Sequence, residues 1–138
     1  MTVQATVAAF QALHRAIAGV TSAPAALPGS ANETDLPLVI TKPAEATWSQ
    51  QAVGLKRQER AYLVYCLVAP VALGDAPDTG FQACLPLLQA FGEAYLNDLS
   101  LGGAVDHLGE VADGGVEVLT FAGVNYHGFV YRVTAVEK

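Results

Sequence analysis

Positive charge is scarce in this chain. Seven Lys and Arg stand against thirteen Asp and Glu, giving a formal net charge of -6, and charged residues fill only 14% of the 138 positions. An acidic chain with a pI near 4.8 does not hold DNA by blanketing its phosphates with cations, although a local basic patch is compatible with that total. Cysteine is scarcer still. Cys66 and Cys84 lie far apart with no CxxC or Cys/His spacing, so they read as reduced thiols packed as small hydrophobes. Long apolar runs are missing too: the strongest, Ala61 to Leu73 and Cys84 to Leu88, are broken by Pro70 and Pro86 and fall short of the about 20 residues a membrane helix needs. The start of the chain has neither the basic flank nor the apolar stretch of a signal peptide, which makes synthesis in the cytoplasm the expectation.

What is present is apolar. Hydrophobic residues make up 52% of the sequence, too many for a disordered chain, and the length suits one domain over residues 1–138. So little charge on so apolar a chain also suggests that part of the surface is covered by copies of itself or by a partner.

Val3, Val7, Phe10, Leu13, His14 and Ile17 recur at helical spacing behind Thr2, a natural N-cap, and before Gly19, a natural stop. Residues 20–32, with Pro24, Pro28 and Gly29, predict an extended connection. Leu38 to Thr41, between Pro37 and Pro43, predicts a short strand, with a second over Glu45 to Gln51 around Trp48. The polar stretch Gln51 to Arg60 predicts a hairpin tip or long loop, and Ala61 to Val71 a central strand covered on both faces and limited by Pro70. Gly74 to Gly80 is turn-forming, and Asp78 or Thr79 is suited to cap a second helix running to about Asp98. Phe81, Leu85, Leu88, Tyr95 and Leu99 form its apolar face, and Pro86 lies in its first turn or kinks it. Ala104 to Val111 predicts a strand, Gly114-Gly115 a turn, and Val116 to Ala122 with Tyr126 to Val136 a hairpin across Gly123, Val124 and Asn125. In the last strand Phe129, Tyr131, Val133 and Ala135 take the core face, and Val130, Arg132, Thr134 and Val136 the other. The fold expected is α+β: an antiparallel or mixed sheet of about four to six strands with two main helices packed on one face.

Catalytic patterns are hard to find. His14 falls in a helix, and His107 and His127 fall in or beside strands. Asp106 and His107, adjacent in a strand, are expected to point to opposite faces. No spacing resembles a metal site, no GxGxxG or phosphate-loop ending occurs, and the glycine-rich pieces GDAPDTG and LGGAV read as turns. The dispersed acids Asp75, Asp78, Asp98, Asp106, Glu110 and Asp113 read as solvated surface, with Asp75 and Asp78 at most a weak cation site. Trp48 and Tyr62 lack the interleaved basic residues of a single-strand platform and read as packing anchors. No enzyme activity and no cofactor are expected. The patch Lys56, Arg57 and Arg60 reads as solvated loop, or as a contact for an acidic neighbour or for passing nucleic acid.

The segment LTFAGVNYHGFVYRVTAVEK, Leu119 to Lys138, carries the run Ala-Gly-Val-x-Tyr-x-Gly-Phe at Ala122 to Phe129 before an alternating strand. It resembles the closing hairpin of tail terminator proteins of long-tailed phages. The upstream order also matches that family's layout: N-terminal helix, the Leu-Pro-x-Val-Ile strand at Leu36 to Ile40, long hairpin, Tyr-rich strand and second helix. Other phage neck proteins, and phage-like particles such as gene transfer agents, share such features. The resemblance implies a structural virion protein in the tail or neck, assembled in the host cytoplasm. It would form a homo-oligomeric ring, usually a hexamer, that caps the tail tube and joins it to the head connector while DNA passes through the lumen. The implied partners are further copies, the tail tube protein and the neck protein, with no membrane. On that reading Trp48, Lys56, Arg57, Arg60 and Arg132 are the candidate interface residues. Two other expectations stand beside it: a small ligand-binding domain or enzyme with a pocket between the sheet and the Phe81 to Leu99 helix, using His107 or His127 for proton transfer; and a dimeric adaptor that uses a sheet edge.

Overall fold

The computed structural model describes residues 2–52, 54–71 and 77–137. It contains α1 (Val3–Arg15), β1 (Leu38–Ala52), β2 (Leu55–Pro70), α2 (Pro77–Asn97), β3 (His107–Phe121) and β4 (Val124–Glu137). The sheet is antiparallel throughout, in the order β1-β2-β4-β3. The expected α+β class is therefore the one observed.

Both helices cover the same face. Val7 and Phe10 of α1 and Cys84, Leu87, Phe91 and Tyr95 of α2 share one core with Val39, Tyr62, Val64, Cys66, Phe129, Tyr131, Val133 and Ala135 from the sheet. Alternation along β4 puts Phe129, Tyr131, Val133 and Ala135 inward, as its sequence pattern requires. Rings dominate this layer: Phe91 meets Phe129 edge-on at 5.2 Å and Tyr95 meets Tyr131 at 5.4 Å between centroids. The opposite face carries a smaller cluster of Leu38, Ile40, Leu67 and Tyr126, partly screened by Ala31 and Leu36.

Several boundaries differ from the sequence-based expectation. α1 opens at Thr2, whose hydroxyl accepts from the Ala5 amide at 3.0 Å, but it ends at Arg15 rather than at Gly19. The two short strands expected on either side of Pro43 are one strand, β1. Pro43 is accommodated because β1 is an edge strand and its register slips between Pro43 and Ala46. Likewise, Gly114-Gly115 is not a turn but a bulge inside β3, where the register slips between Asp113 and Val116. There the Asp113 carboxylate accepts from the Gly115 amide at 2.9 Å and Gly115 takes φ +78°. Residues 104–106 precede β3 as a turn instead of belonging to it.

Helix α2 runs close to its expected length, yet Pro86 lies in its interior, beyond the first turn. Its apolar face is also rotated from the expected one. Cys84, Leu87, Phe91 and Tyr95 face the core, whereas Phe81, Leu85 and, beyond the helix end, Leu99 are exposed. Of the turn expected over Gly74 to Gly80, residues 77–80 already belong to α2, which puts Thr79 within the helix rather than at its cap; residues 74–76 and the side chain of Asp78 lie outside the described residues, as does the cation site read at Asp75 and Asp78.

The closing hairpin is tighter than its sequence suggests. Phe121 pairs with Val124, leaving Ala122 and Gly123 as a two-residue turn with φ +50° and +79°. Both central residues of such a turn need the left-handed region, which costs a residue with a Cβ about 1 kcal/mol. Ala122→Asn should therefore raise the stability by about 1 kcal/mol, seen as a thermal midpoint higher by roughly 2–4 °C; an unchanged midpoint would mean that Ala122 is unstrained.

Candidate interaction surface

Two of the three histidines occupy places where their surroundings define what they do. His14 is fully buried in a closed hydrogen-bond network. The Gln11 amide nitrogen donates to the carbonyls of Pro24 at 2.7 Å and Val39 at 2.9 Å, so the Gln11 oxygen is the acceptor for the Thr41 hydroxyl at 2.9 Å and for His14 Nδ1 at 2.8 Å. The His14 proton is thereby fixed on Nδ1, and Nε2 accepts from the Tyr95 hydroxyl at 2.6 Å. Burial holds the imidazole neutral and lowers its pKa to about 3. This group ties α1 to β1, to the connection after α1 and to α2.

His127 is half-buried and lies against Gly80, where an added Cβ would come within 2.2 Å of the ring. His107 is exposed and bonds the Asp106 carboxylate at 3.2 Å. The expected divergence of those neighbours fails because Asp106 precedes β3 and is free of its strict alternation. Among the described residues no three His, Cys, Asp or Glu gather as metal ligands. The layer between the sheet and α2 is filled by Phe91, Tyr95, Phe129 and Tyr131, so the pocket anticipated there for a ligand is occupied by the core itself.

A second buried polar group joins the end of β4 to α1 and β2. Glu137 accepts from the Thr6 hydroxyl and from the Gln58 amide at 2.7 Å. The Tyr62 hydroxyl is buried without a hydrogen bond of its own, and burial, followed by the Glu137 carboxylate, pushes its pKa up to about 12. Arg60 extends the chain of contacts outward: Nε and Nη2 donate to the Gln58 oxygen at 3.0 and 2.6 Å, and Nη1 donates to the Ala44 carbonyl at 2.8 Å. It thus clamps the β1 bulge to β2.

The five candidate interface residues separate into two groups. Gln58 of β2 pairs with Glu137, the last residue of β4 in the sheet. Trp48 faces Gln58 on that same row, and beyond it β1 and β2 continue alone as a two-stranded arm in which Ser49 faces Arg57 and Gln50 faces Lys56. Trp48 is 63% exposed, Lys56 is exposed and Arg57 half-buried. Arg60 is turned back into the protein, and Arg132 makes an ion pair with Glu45 on the face away from the helices. That pairing holds the Glu45 carboxyl below its usual range.

Three surface concavities were not foreseen. A groove of about 710 Å³ runs between α1, β1 and the connection, lined by Val3, Val7, Leu27 and Pro43 among others. A cleft of about 230 Å³ on the helix-free face lies among Ile40, Lys42, Tyr65, Leu67, Leu119 and Phe121, with the Lys42 amine 5.5 Å from the Tyr65 ring centre. A polar hollow of about 210 Å³ includes Glu45, Glu59, Glu110 and Arg132. The alternation of Leu38 with Ile40, Tyr65 with Leu67 and Leu119 with Phe121 was the available signal for the cleft.

Two measurements check these assignments. Arg60→Ala should lower stability by about 1–2 kcal/mol in urea unfolding, because it frees the bulge carbonyl, whereas Lys56→Ala and Arg57→Ala should each change it by less than about 0.5 kcal/mol. For His14 the folded pKa is below the unfolded value, so its contribution is complete above about pH 6.5 and is lost as pH falls from there toward 3. Stability measured from pH 7 to 4 should therefore decline less steeply in His14→Gln than in the unaltered protein; parallel profiles would refute the buried neutral state.

No protein-family profile matches this sequence, and no curated protein is significantly similar to it.

Proposed function

We propose that this chain is a structural subunit that works by self-association, forming a ring of the tail-terminator kind that closes a tube and joins it to a neighbouring assembly. The observation that carries this reading is the arm: a two-stranded extension past the end of β4, with Trp48 exposed at its base and Lys56 exposed beyond it. A large aromatic 63% exposed to solvent adds little to its own fold, and such side chains are typical anchors of protein interfaces. Apart from a bridge between Ser22 and Leu38 at the start of β1, both sheet edges, β1 and β3, lack a further paired strand among the described residues, so a head-to-tail contact is open to each copy.

Within the segment that resembles the terminator hairpin, the end of β3 and β4 close on a tight turn. Ala122 and Gly123 make the turn, Tyr126 packs on the helix-free face, Phe129 enters the core, and Gly128 passes so close to β2 that a Cβ would lie 2.0 Å from the Cys66 carbonyl oxygen. In this reading the net negative charge keeps DNA from adhering as it passes.

Light scattering across concentration, with negative-stain images of the same sample, tests the proposal. Closed rings of about six copies are the expected result. A monomer at every concentration would overturn self-association, and a two-fold dimer would replace the ring with an adaptor acting through a sheet edge.

A further inference from the structure

The helix-free face of the sheet is apolar at one end, around Leu38, Ile40, Leu67 and Tyr126, and polar at the other. The polar end is built on a pair of small side chains. Ala61 of β2 stands directly opposite Thr134 of β4, and alternation turns both toward this face, since Tyr62, Val133 and Ala135 enter the core. Both outer strands slip beside that pair: β1 between Pro43 and Ala46, and β3 between Leu108 and Val111. Such bulges re-aim side chains. Here they bring Glu45 and Glu110 to the two ends of the floor made by Ala61 and Thr134, and the result is the hollow of about 210 Å³ that also takes in Thr47, Glu59 and Arg132.

The groups around this hollow are unequally satisfied. Arg132 and Glu45 pair with each other. Neither Glu59 nor Glu110 is in salt-bridge contact with a cation among the described residues, and Arg57, two residues before Glu59 on β2, does not line the space. Three carboxylates against one guanidinium leave the hollow negative. Its floor has a second unmet group. Thr134 is only 9% exposed, and its hydroxyl makes no hydrogen bond among the described residues. A hydroxyl buried that far normally has a partner, and the open side of Thr134 is the hollow itself.

The acceptors select the ligand. No three acids among the described residues converge as a metal ion requires. A guanidinium is a flat fork that matches one carboxylate from one side, whereas here the acceptors come from three strands. A primary ammonium is a compact charge with three donors that diverge. We propose that the hollow binds a primary ammonium group, which donates to the carboxylates of Glu59 and Glu110 and to the Thr134 hydroxyl, with the paired Glu45 and Arg132 as the remaining wall. At about 210 Å³ the space is too small for a drug-sized ligand and suits an ammonium head on a short alkyl stem. The site stands independently of the assembly reading. Its occupant is a small free amine or the lysine side chain of a second copy, which share this chemistry.

The test titrates butylammonium chloride into the full-length chain at pH 7 and fixed ionic strength, following the Ala61 and Thr134 methyl signals by NMR and the mass by light scattering in the same samples. The methyl shifts should saturate. Tetramethylammonium chloride, which carries the same charge without an N–H, should cause no more than the salt control. Glu59→Gln/Glu110→Gln should weaken binding by about tenfold or more, and Thr134→Val by about three- to tenfold, each with an unchanged circular dichroism spectrum. A fall in assembled mass along the same titration curve identifies the occupant as a lysine of a second copy; an unchanged mass identifies it as a free amine. Shifts that are absent or never saturate, equal shifts with tetramethylammonium, an affinity indifferent to the two acids, or displacement of butylammonium by millimolar calcium would each overturn the ammonium site.

Discussion

The amide of Gln11 is where three layers of the protein meet. Its nitrogen satisfies the carbonyls of Pro24 and Val39, and its oxygen accepts from Thr41 and from His14, which is in turn bonded to Tyr95. A fully buried amide is costly unless every donor and acceptor is matched, and here all are. The matching seats α1 over β1 and fixes its distance from α2. With α1 there, α2 lies over β3, β4 and β2, and Phe81, Leu85 and Leu96 on its outer side are exposed. The uncovered surface is thus a consequence of how the polar core is satisfied.

Much of the fold could be read from local pattern. The N-cap at Thr2, the extent of α2, the inward set of β4 and the antiparallel hairpins all depend on residues within a turn or two of each other. The errors arose where distant contacts reinterpret a local signal. Pro43 reads as a strand end, but at a sheet edge its missing amide costs little. Gly114-Gly115 reads as a turn, but β4 continues past it and makes it a bulge. The burial of Thr6 and Gln11 has no local signal, since their partners Glu137 and Val39 lie far away in sequence. In α2 the two apolar stripes overlap, and Tyr95 was grouped with Phe81 and Leu85 although it turns toward the core.

The candidate site was legible to the same degree. The polar stretch Gln51 to Arg60 reads as a hairpin tip or long loop, but its first two residues close β1 and Leu55 to Arg60 open β2, so Lys56 and Arg57 stand on a strand. That Arg60 turns back to clamp Ala44 was not legible, because the bulge that presents the carbonyl exists only when β1 and β2 pair. The three concavities depend on adjacency between strands remote in sequence, and only their alternation was visible beforehand.

The irregularity of β1 has a consequence for how far this chain can associate. An apolar protein with few charges and free strand edges is at risk of stacking indefinitely, strand on strand, into fibres. Pro43 removes one amide from the exposed ladder and the adjacent slip bends the strand out of line, while the glycine bulge at 114–115 breaks the opposite edge. A template flawed on both sides cannot propagate a continuous cross-strand polymer. Any association is then left to contacts that side chains specify.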